Sequence, residues 1–337
     1  MKRVKLRFAG LEVEFADRDR ALAQVVEWAE NGTWQPVVVF GPEGCGKTSW
    51  LKQAAETLKS LGFEVVYIDP LRKDYVAYTD VKGVLEKLAE AAAEVAGIAQ
   101  LKLATLAVDL AKELVGKWGK KRVAVLMDDA FQAIGLDEVE TYVKGLLGLI
   151  EHPPASYEKI VAIAATSEGV SRERIGRHRW AELRAMWNMC REGFEELYEQ
   201  LRGKVPSAPS PDDAWSLTGG NPWMLAQLYQ AGWDAGSATI ALAEGKKLTP
   251  GFIERWRKWL EEAVEDPDAL WSADAPEELV NELVERNLIV YNLHSRLERR
   301  WVDQPPPRKD LELGIGEHVA WQTPLHREAV RRALTEA

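Results

Sequence analysis

Apolar and charged residues alternate through Lys5 to Phe15 around a turn at Gly10, the period-2 pattern of a short hairpin or an extended lead-in. A helical stretch follows from about Arg18 to Asn31. Val37-Val38-Val39-Phe40, introduced by Pro36 and stopped at Gly41, is apolar throughout, which predicts a central parallel strand covered on both faces. Thr48 to Ser60 carries apolar residues at Leu51, Ala54, Ala55 and Leu58 and ends at Leu61-Gly62 as a helix C-cap does. Phe63–Ile68 reads as the next strand. Val81–Gly116 reads as one broken or two consecutive helices, with Gly97 as the internal breaker. Then come a strand at Arg122–Met127, a helix at Leu136–Ile150, a strand at Ile160–Ala165 and a further short strand near Trp180–Met186.

This alternation of strand and helix defines an α/β fold. It requires parallel strands with right-handed crossovers, and ligands then bind at the carboxyl ends of the strands. Beyond Asn188 the pattern changes to helices at Cys190–Arg202, Asp212–Leu217, Pro222–Ala231, Pro250–Val264 and Glu277–Arg286, with a Pro/Ser loop at Val205–Pro211. A strand at Leu288–Tyr291, a proline run at Pro305–Pro307, an apolar segment at Val319–Trp321 and a last helix from Pro324 fit a winged helix-turn-helix. The expected domains are therefore residues 1–188, 189–272 and 273–337.

Composition narrows the class. Hydrophobic residues at 46% and charged residues at 28% exclude a disordered or fibrous chain. A net charge of -10 argues against a coat of positive charge for wrapping nucleic acid, though not against a local basic face. The two cysteines, Cys45 and Cys190, are far apart and give no disulfide framework. No secretory h-region and no run near the length of a membrane span is present, so a cytoplasmic location and no membrane partner are expected. His152, His178, His294, His318 and His326 have no metal-ligand spacing, so no zinc site is assigned.

Gly41-Pro42-Glu43-Gly44-Cys45-Gly46-Lys47-Thr48 matches G-x-x-x-x-G-K-[ST] in full, between a predicted buried strand and a predicted helix. Glycines let successive backbone N–H groups turn toward a polyphosphate, and the helix N-terminus adds to that field. Lys47 is placed to neutralise the β and γ phosphates, and the Thr48 hydroxyl to bind Mg²⁺; Cys45 is a filler position. Asp128 and Asp129 end the apolar strand Val123–Met127 as a Walker B pattern. Asp128 is assigned to the Mg²⁺ shell, and Asp129 to orienting and polarising the attacking water, against the alternative of capping the next helix. Thr166 and Ser167 follow the next strand and either sense the γ phosphate or cap a helix. Arg172, Arg174, Arg177 and Arg179 come next; a guanidinium from this group, such as Arg177, could stabilise charge on the γ phosphate, or the arginines form a solvated face.

These residues resemble the archaeal P-loop ATPases of the STAND and AAA+-related group, over most of the chain. Phe15-Ala16-Asp17-Arg18-Asp19-Arg20-Ala21-Leu22 is similar to the family's F-x-D-R-x-x-E-L entry motif, with Ala21 in place of the acid; the resemblance implies that Arg18 helps enclose the adenine. Gly41 to Ser49 resembles G-P-x-x-x-G-K-T-S, which brings Pro42 and Ser49 into the nucleotide site. Asp128-Asp129-Ala130-Phe131-Gln132 resembles D-E-x-Q, with Asp129 for Glu, an arm one methylene shorter that implies slow hydrolysis. Thr218-Gly219-Gly220-Asn221-Pro222-Trp223 resembles the T-G-G-N-P motif that opens a lid helix, with Asn221 as N-cap, Pro222 at the first helical position and the glycines allowing close approach of the nucleotide. No Arg follows in residues 224–227, so contact there comes from backbone and ring. The resemblance further implies strand order 5-1-4-3-2, a helical lid and a C-terminal winged helix.

The leading expectation is an ATP- and Mg²⁺-dependent switch whose nucleotide state sets the arrangement of lid and winged helix. The alternative is a nucleotide-regulated DNA-binding protein with little catalysis, using His326, Arg327, Arg331 and Arg332 on the last helix. Residues 281–337 carry equal numbers of basic and acidic side chains, which places a protein partner or self-association ahead of DNA. A small-molecule kinase lacks a recognisable acceptor site.

Overall fold

The computed structural model describes residues 2–94, 96–135, 138–166, 172, 175–176, 179–202, 204, 208–293 and 295–337. In chain order, β1 (Lys5–Phe8) and β2 (Leu11–Glu14) form an antiparallel hairpin, followed by α1 (Asp19–Asn31), β3 (Val37–Phe40), α2 (Lys47–Ser60), β4 (Glu64–Asp69) and β5 (Asp74–Tyr78). Next come α3 (Lys82–Ala92), α4 (Ala96–Gly116), β6 (Arg122–Asp128), α5 (Ala130–Ile134), α6 (Val139–Glu151), β7 (Lys159–Thr166) and β8 (Glu182–Met186). The remainder comprises α7 (Arg191–Arg202), α8 (Pro211–Thr218), α9 (Pro222–Gln230), α10 (Ala235–Gly245), α11 (Pro250–Glu265), α12 (Glu277–Glu285), β9 (Ile289–Val290), β10 (Trp301–Val302), β11 (Ala320–Trp321) and α13 (Pro324–Glu336).

The chain divides into two compact units. The first contains residues 1–4, 19–40 and 47–184, and is built on strands in the order β8-β3-β7-β6-β4-β5. β3, β7, β6 and β4 pair in parallel, and every residue of β3 is buried, as a strand with helices on both faces requires. β5, whose five residues are all half-buried, pairs antiparallel with β4 and closes the far edge. This edge strand was not expected from the sequence. Nor is Gly97 the breaker: the helical run parts between Ala92 and Ala96, and Gly97 lies inside α4.

Register brings the candidate residues to one sheet edge. Phe40 pairs with Thr166, Asp128 with Ala165 and Ile68 with Met127, so Asp69, Asp128 and Thr166 all end their strands at the same level. The core beneath them joins β-sheet residues such as Val38, Val125 and Ala162 to Leu103, Leu110 and Leu114 of α4 and Val143 and Leu146 of α6. In α1, Ala21, Val25, Trp28 and Ala29 form the buried helical stripe, and Trp28 meets Trp50 edge-on at 6.4 Å between ring centroids.

The second unit contains residues 5–18, 41–46 and 185–337. Its helices are punctuated by side-chain caps: Ser210 accepts from Asp213 N–H, Asn221 from Met224 N–H, Thr249 from Phe252 N–H and Thr323 from His326 N–H. One core packs Val13 and Ala16 against Phe194, Tyr198 and Leu225; another packs α11, α12 and α13 around Trp321. Trp301 and Trp321 are buried, as Trp50 is in the first unit. β9 and β11 pair antiparallel, whereas Trp301 and Val302 pair in parallel with Ala185 and Met186. Asp268 accepts the backbone N–H groups of Glu317 (2.7 Å), His318 (2.8 Å) and Val319 (3.0 Å), pinning the turn before β11. No helix among the described residues is long and apolar enough to cross a membrane.

Candidate nucleotide site

In the first unit, Lys47, Thr48 and Ser49 open α2 directly after the glycine-rich segment, at a helix N-terminus, whose dipole favours an anion. Lys47 is buried. The Thr48 hydroxyl is hydrogen-bonded to the carboxylate of Asp128, itself 1% exposed at the end of β6. Tyr67 donates its hydroxyl to Asp128 Oδ2 at 3.4 Å. Burial, and then the neighbouring Asp129, push the Asp128 carboxyl up to about 7, against the lowering effect of Thr48. Hydroxyl and carboxylate oxygens in contact are the hard donors Mg²⁺ takes alongside phosphate and water, so these residues fit the ion.

Asp129 occupies the N-cap position of α5 with φ 48°, in the left-handed region, and its side chain makes no capping hydrogen bond. A non-glycine residue in this region is uncommon, and such strain clusters at functional sites. Its Oδ2 lies 3.4 Å from Arg72 Nη1, and the same guanidinium donates to Asp69 Oδ2 at 2.5 Å, while Arg72 N–H donates to Asp69 Oδ1 at 3.0 Å. Burial raises the Asp129 pKa, and Lys47 and Arg72 oppose the rise. Thr166 is fully buried at the end of β7. Arg172 stacks its guanidinium 4.5 Å from the Phe40 ring centroid. Ser167, Arg174, Arg177, His178 and His294 lie outside the described residues.

Sequence reasoning missed Asp69 and Arg72. Asp69 ends the strand Glu64–Asp69 as Asp128 ends β6, so the rule that found one acid also finds the other.

In the second unit, Gly41, Pro42 and Cys45 of the glycine-rich segment are buried, whereas Glu43, Gly44 and Gly46 are half-buried. A Cβ on Gly41 would stand 1.9 Å from Met186 O, and one on Gly44 (φ +74°) 2.1 Å from Trp223 Cβ. Gly46 has φ +104°, and the site of its absent Cβ lies 3.9 Å from Arg18 Nη2 and 4.0 Å from Pro222 Cγ. Pro42 is buried, and Cys45 carries a buried thiol whose Sγ lies 3.8 Å from Met186 O. Glu43 N–H donates to Gln322 Oε1 at 2.8 Å, and Lys246 Nζ pairs with Glu43 Oε2 at 2.8 Å.

Arg18 is 3% exposed, and its guanidinium donates to Asp303 Oδ2 (2.7 Å), Cys45 O (2.6 Å) and Trp187 O (3.0 Å). The glycines of the 218–223 motif serve protein packing: a Cβ on Gly219 would meet Pro324 Cδ at 2.8 Å and one on Gly220 Met189 O at 2.4 Å. Pro222 takes the first turn of α9. On the last helix His326 is buried and pushed down to about 3 by that burial; Arg327 donates to the carbonyls of Leu311 and Glu312; Arg331 pairs with Glu328 and Glu265, and Arg332 with Glu336.

Residues 15–228 match the model of a family described as an ATPase domain predominantly from Archaea. The chain belongs to this family. The match covers the glycine-rich loop, Asp128, Asp129 and the Asn221-Pro222 helix start. No curated protein matches the chain in sequence. Among solved structures it is similar to the Walker-type ATPase PABY2304 of Pyrococcus abyssi, at 16% identity and TM-score 0.47 over 98% of each chain. It is also similar to Cdc6p from Pyrobaculum aerophilum, at 13% identity and TM-score 0.40 over 96% of this chain and 95% of that one. A third similar structure is the RuvB Holliday junction branch migration motor of Thermotoga maritima, at 10% identity and TM-score 0.39, covering 82% of this chain and 90% of that one.

Proposed function

We propose that this archaeal-type ATPase binds ATP with Mg²⁺ and hydrolyses it slowly, as a switch of the STAND and AAA+-like class. The observation that carries the reading is the placement of Asp129. Its backbone is strained, its carboxylate makes no capping bond to its own helix, and it is held beside Asp128 in an edge that also contains Lys47. An acid kept away from its local hydrogen-bonding partners is available to accept a proton from water.

Thr48 and Asp128 would hold Mg²⁺, which when bound supplies charge neutralisation to the phosphates. Lys47 neutralises β and γ oxygens, and the amides of the glycine-rich segment complete the cradle. Asp129 orients the attacking water and takes its proton, while Thr166 at the same strand level senses the γ phosphate. Asp in place of Glu shortens the reach to that water, which supports slow turnover.

The reading assigns residues 1–188 to the ATPase core, 189–272 to a helical lid and 273–337 to a winged-helix domain in a cytoplasmic protein. Nucleotide state sets the arrangement of the last two. A protein partner or a second copy is favoured over DNA, because His326 is buried and Arg327, Arg331 and Arg332 are engaged within the chain. Phosphate release measured with and without DNA tests catalysis and output together. Lys47→Ala should abolish tight ATP binding, and Asp129→Asn should keep ATP bound while phosphate release falls by about a hundredfold or more. Unchanged ATP affinity in Lys47→Ala would refute the nucleotide site, and a parent rate in Asp129→Asn would refute its role as base.

A further inference from the structure

Three successive carbonyls of the glycine-rich segment are tied by donors from distant parts of the second unit. Glu43 O accepts from Asn221 Nδ2 at 2.9 Å, Gly44 O from the Trp223 N–H at 3.2 Å and Cys45 O from Arg18 Nη2 at 2.6 Å. A trans peptide is planar, so fixing one carbonyl turns the next N–H to the opposite side. Holding Glu43 O and Cys45 O therefore sets the direction of the Gly44 and Gly46 N–H groups, while Cys45 N–H closes a turn on Pro42 O at 3.3 Å.

Arg18 is the only side chain among these three donors that carries a charge, and its charge is answered by Asp303, 285 positions away. Both side chains are almost wholly buried, at 3% and 2% exposure. Both residues also have left-handed backbones, φ 63° for Arg18 and 73° for Asp303, a conformation retained only where the surroundings over-determine it. A buried ion pair adds little net stability over an apolar pair of the same volume, so its distinctive effect is geometric. The rigid guanidinium fork spans Asp303 Oδ2, Cys45 O and Trp187 O at once, which a lysine ammonium on a flexible stem does not reproduce.

We propose that Arg18 is a positioning residue for the phosphate loop, and that Asp303 of the C-terminal segment controls ATP affinity by holding Arg18 on the Cys45 carbonyl. The proposal rests on the reading of Gly41 to Thr48 as the nucleotide cradle, and it makes nucleotide affinity depend on a residue remote from the motif. Two full-length variants test it. Arg18→Lys keeps the charge opposite Asp303 but loses the fork; Asp303→Asn keeps the size but releases the guanidinium.

ATP binding by calorimetry and steady-state hydrolysis are measured for both, beside the parent and Lys47→Ala. The expected result is a rise of tenfold or more in Kd and KM for ATP with kcat within threefold of the parent, and no further loss when the two changes are combined, since Asp303 acts through Arg18. Either variant alone, if only one folds, carries the same expectation. Parent-like Kd and KM, a fall in kcat with Kd unchanged, or additive losses in the double variant overturn the proposal. Failure of the parent itself to bind ATP sinks the cradle reading and this one with it; parent binding that Lys47→Ala abolishes but Arg18→Lys and Asp303→Asn leave intact sinks this one alone.

Discussion

Asp129 turns its carboxylate away from the helix it precedes and toward Arg72, with Oδ2 3.4 Å from Nη1. The arginine is shared: Asp69, fully buried, takes the shorter contact. Arg72 thus stands between an acid that anchors it and an acid assigned to water activation. Its reach, rather than its charge alone, fixes where Asp129 rests.

Replacing Arg72 with Ala should therefore lower ATP turnover by about tenfold to a hundredfold while leaving ATP affinity within a few-fold of the parent. Steady-state kinetics beside calorimetric ATP titration check this. A parallel loss of affinity would mean that the arginine holds the nucleotide rather than the acid.

Asp128 makes the unliganded chain pH-sensitive. Its carboxyl stands at about 7 against an ordinary 3.8, so between those values the folded chain holds a proton that the unfolded chain releases. Stability then falls as pH rises through this window and levels off above about 7. Asp128→Asn should flatten the dependence and exceed the parent by on the order of 4 kcal/mol at pH 8 in denaturant titrations without nucleotide. Mg²⁺-ATP binding should run the other way, weakening up to tenfold per pH unit below about 7 as the carboxyl protonates.

Asp268 shows the opposite sign. Burial raises its pKa, but the three N–H groups of His318, Glu317 and Val319 outweigh that and leave it lowered. The stability it contributes is present above the ordinary 3.8 and is lost as pH falls through the lower folded value. Asp268→Asn should cost about 1–3 kcal/mol at pH 7, and the gap to the parent should close in acid. Chemical denaturation at several pH values measures both.

The basic residues of α13 yield a prediction about structure rather than DNA. Arg327 donates to two backbone carbonyls and Arg331 bridges two glutamates. Arg327→Ala should lower the thermal midpoint by several degrees, about 1–2 kcal/mol. Double-stranded DNA affinity, if any is found, should show a shallow salt slope that Arg327→Ala plus Arg331→Ala does not change. A steep slope reduced by the double substitution would restore the DNA reading.

Legibility in the sequence followed the strength of local constraint. The four-residue run Val37–Phe40 and the five residues Val123–Met127 within β6 are apolar because both faces are covered, and that pattern has few other solutions. The glycine-rich loop and the Asn221-Pro222 start are fixed by backbone chemistry and were equally readable. β5 was missed because its half-buried Asp74–Tyr78 alternates weakly, and α10 because Ala, Gly, Ser and Thr over 235–245 give almost no periodic signal. The resemblance of residues 15–22 to the entry motif assigns Arg18 to the nucleotide, but its pairing with Asp303 was not legible, since Asp303 lies in a segment that no local pattern marks. Long-range pairs of this kind become visible only once the chain is folded.

Nine of the fourteen tryptophans belong to the second unit, and those at 301 and 321 are sealed from water, as Trp50 is in the first. Indole emission shifts to longer wavelength when water reaches the ring. The protein therefore carries its own optical reporter, weighted toward the second unit. Quenching by an aqueous solute during gradual denaturation would reveal whether Trp50 becomes wet together with Trp301 and Trp321 or separately, without any attached dye.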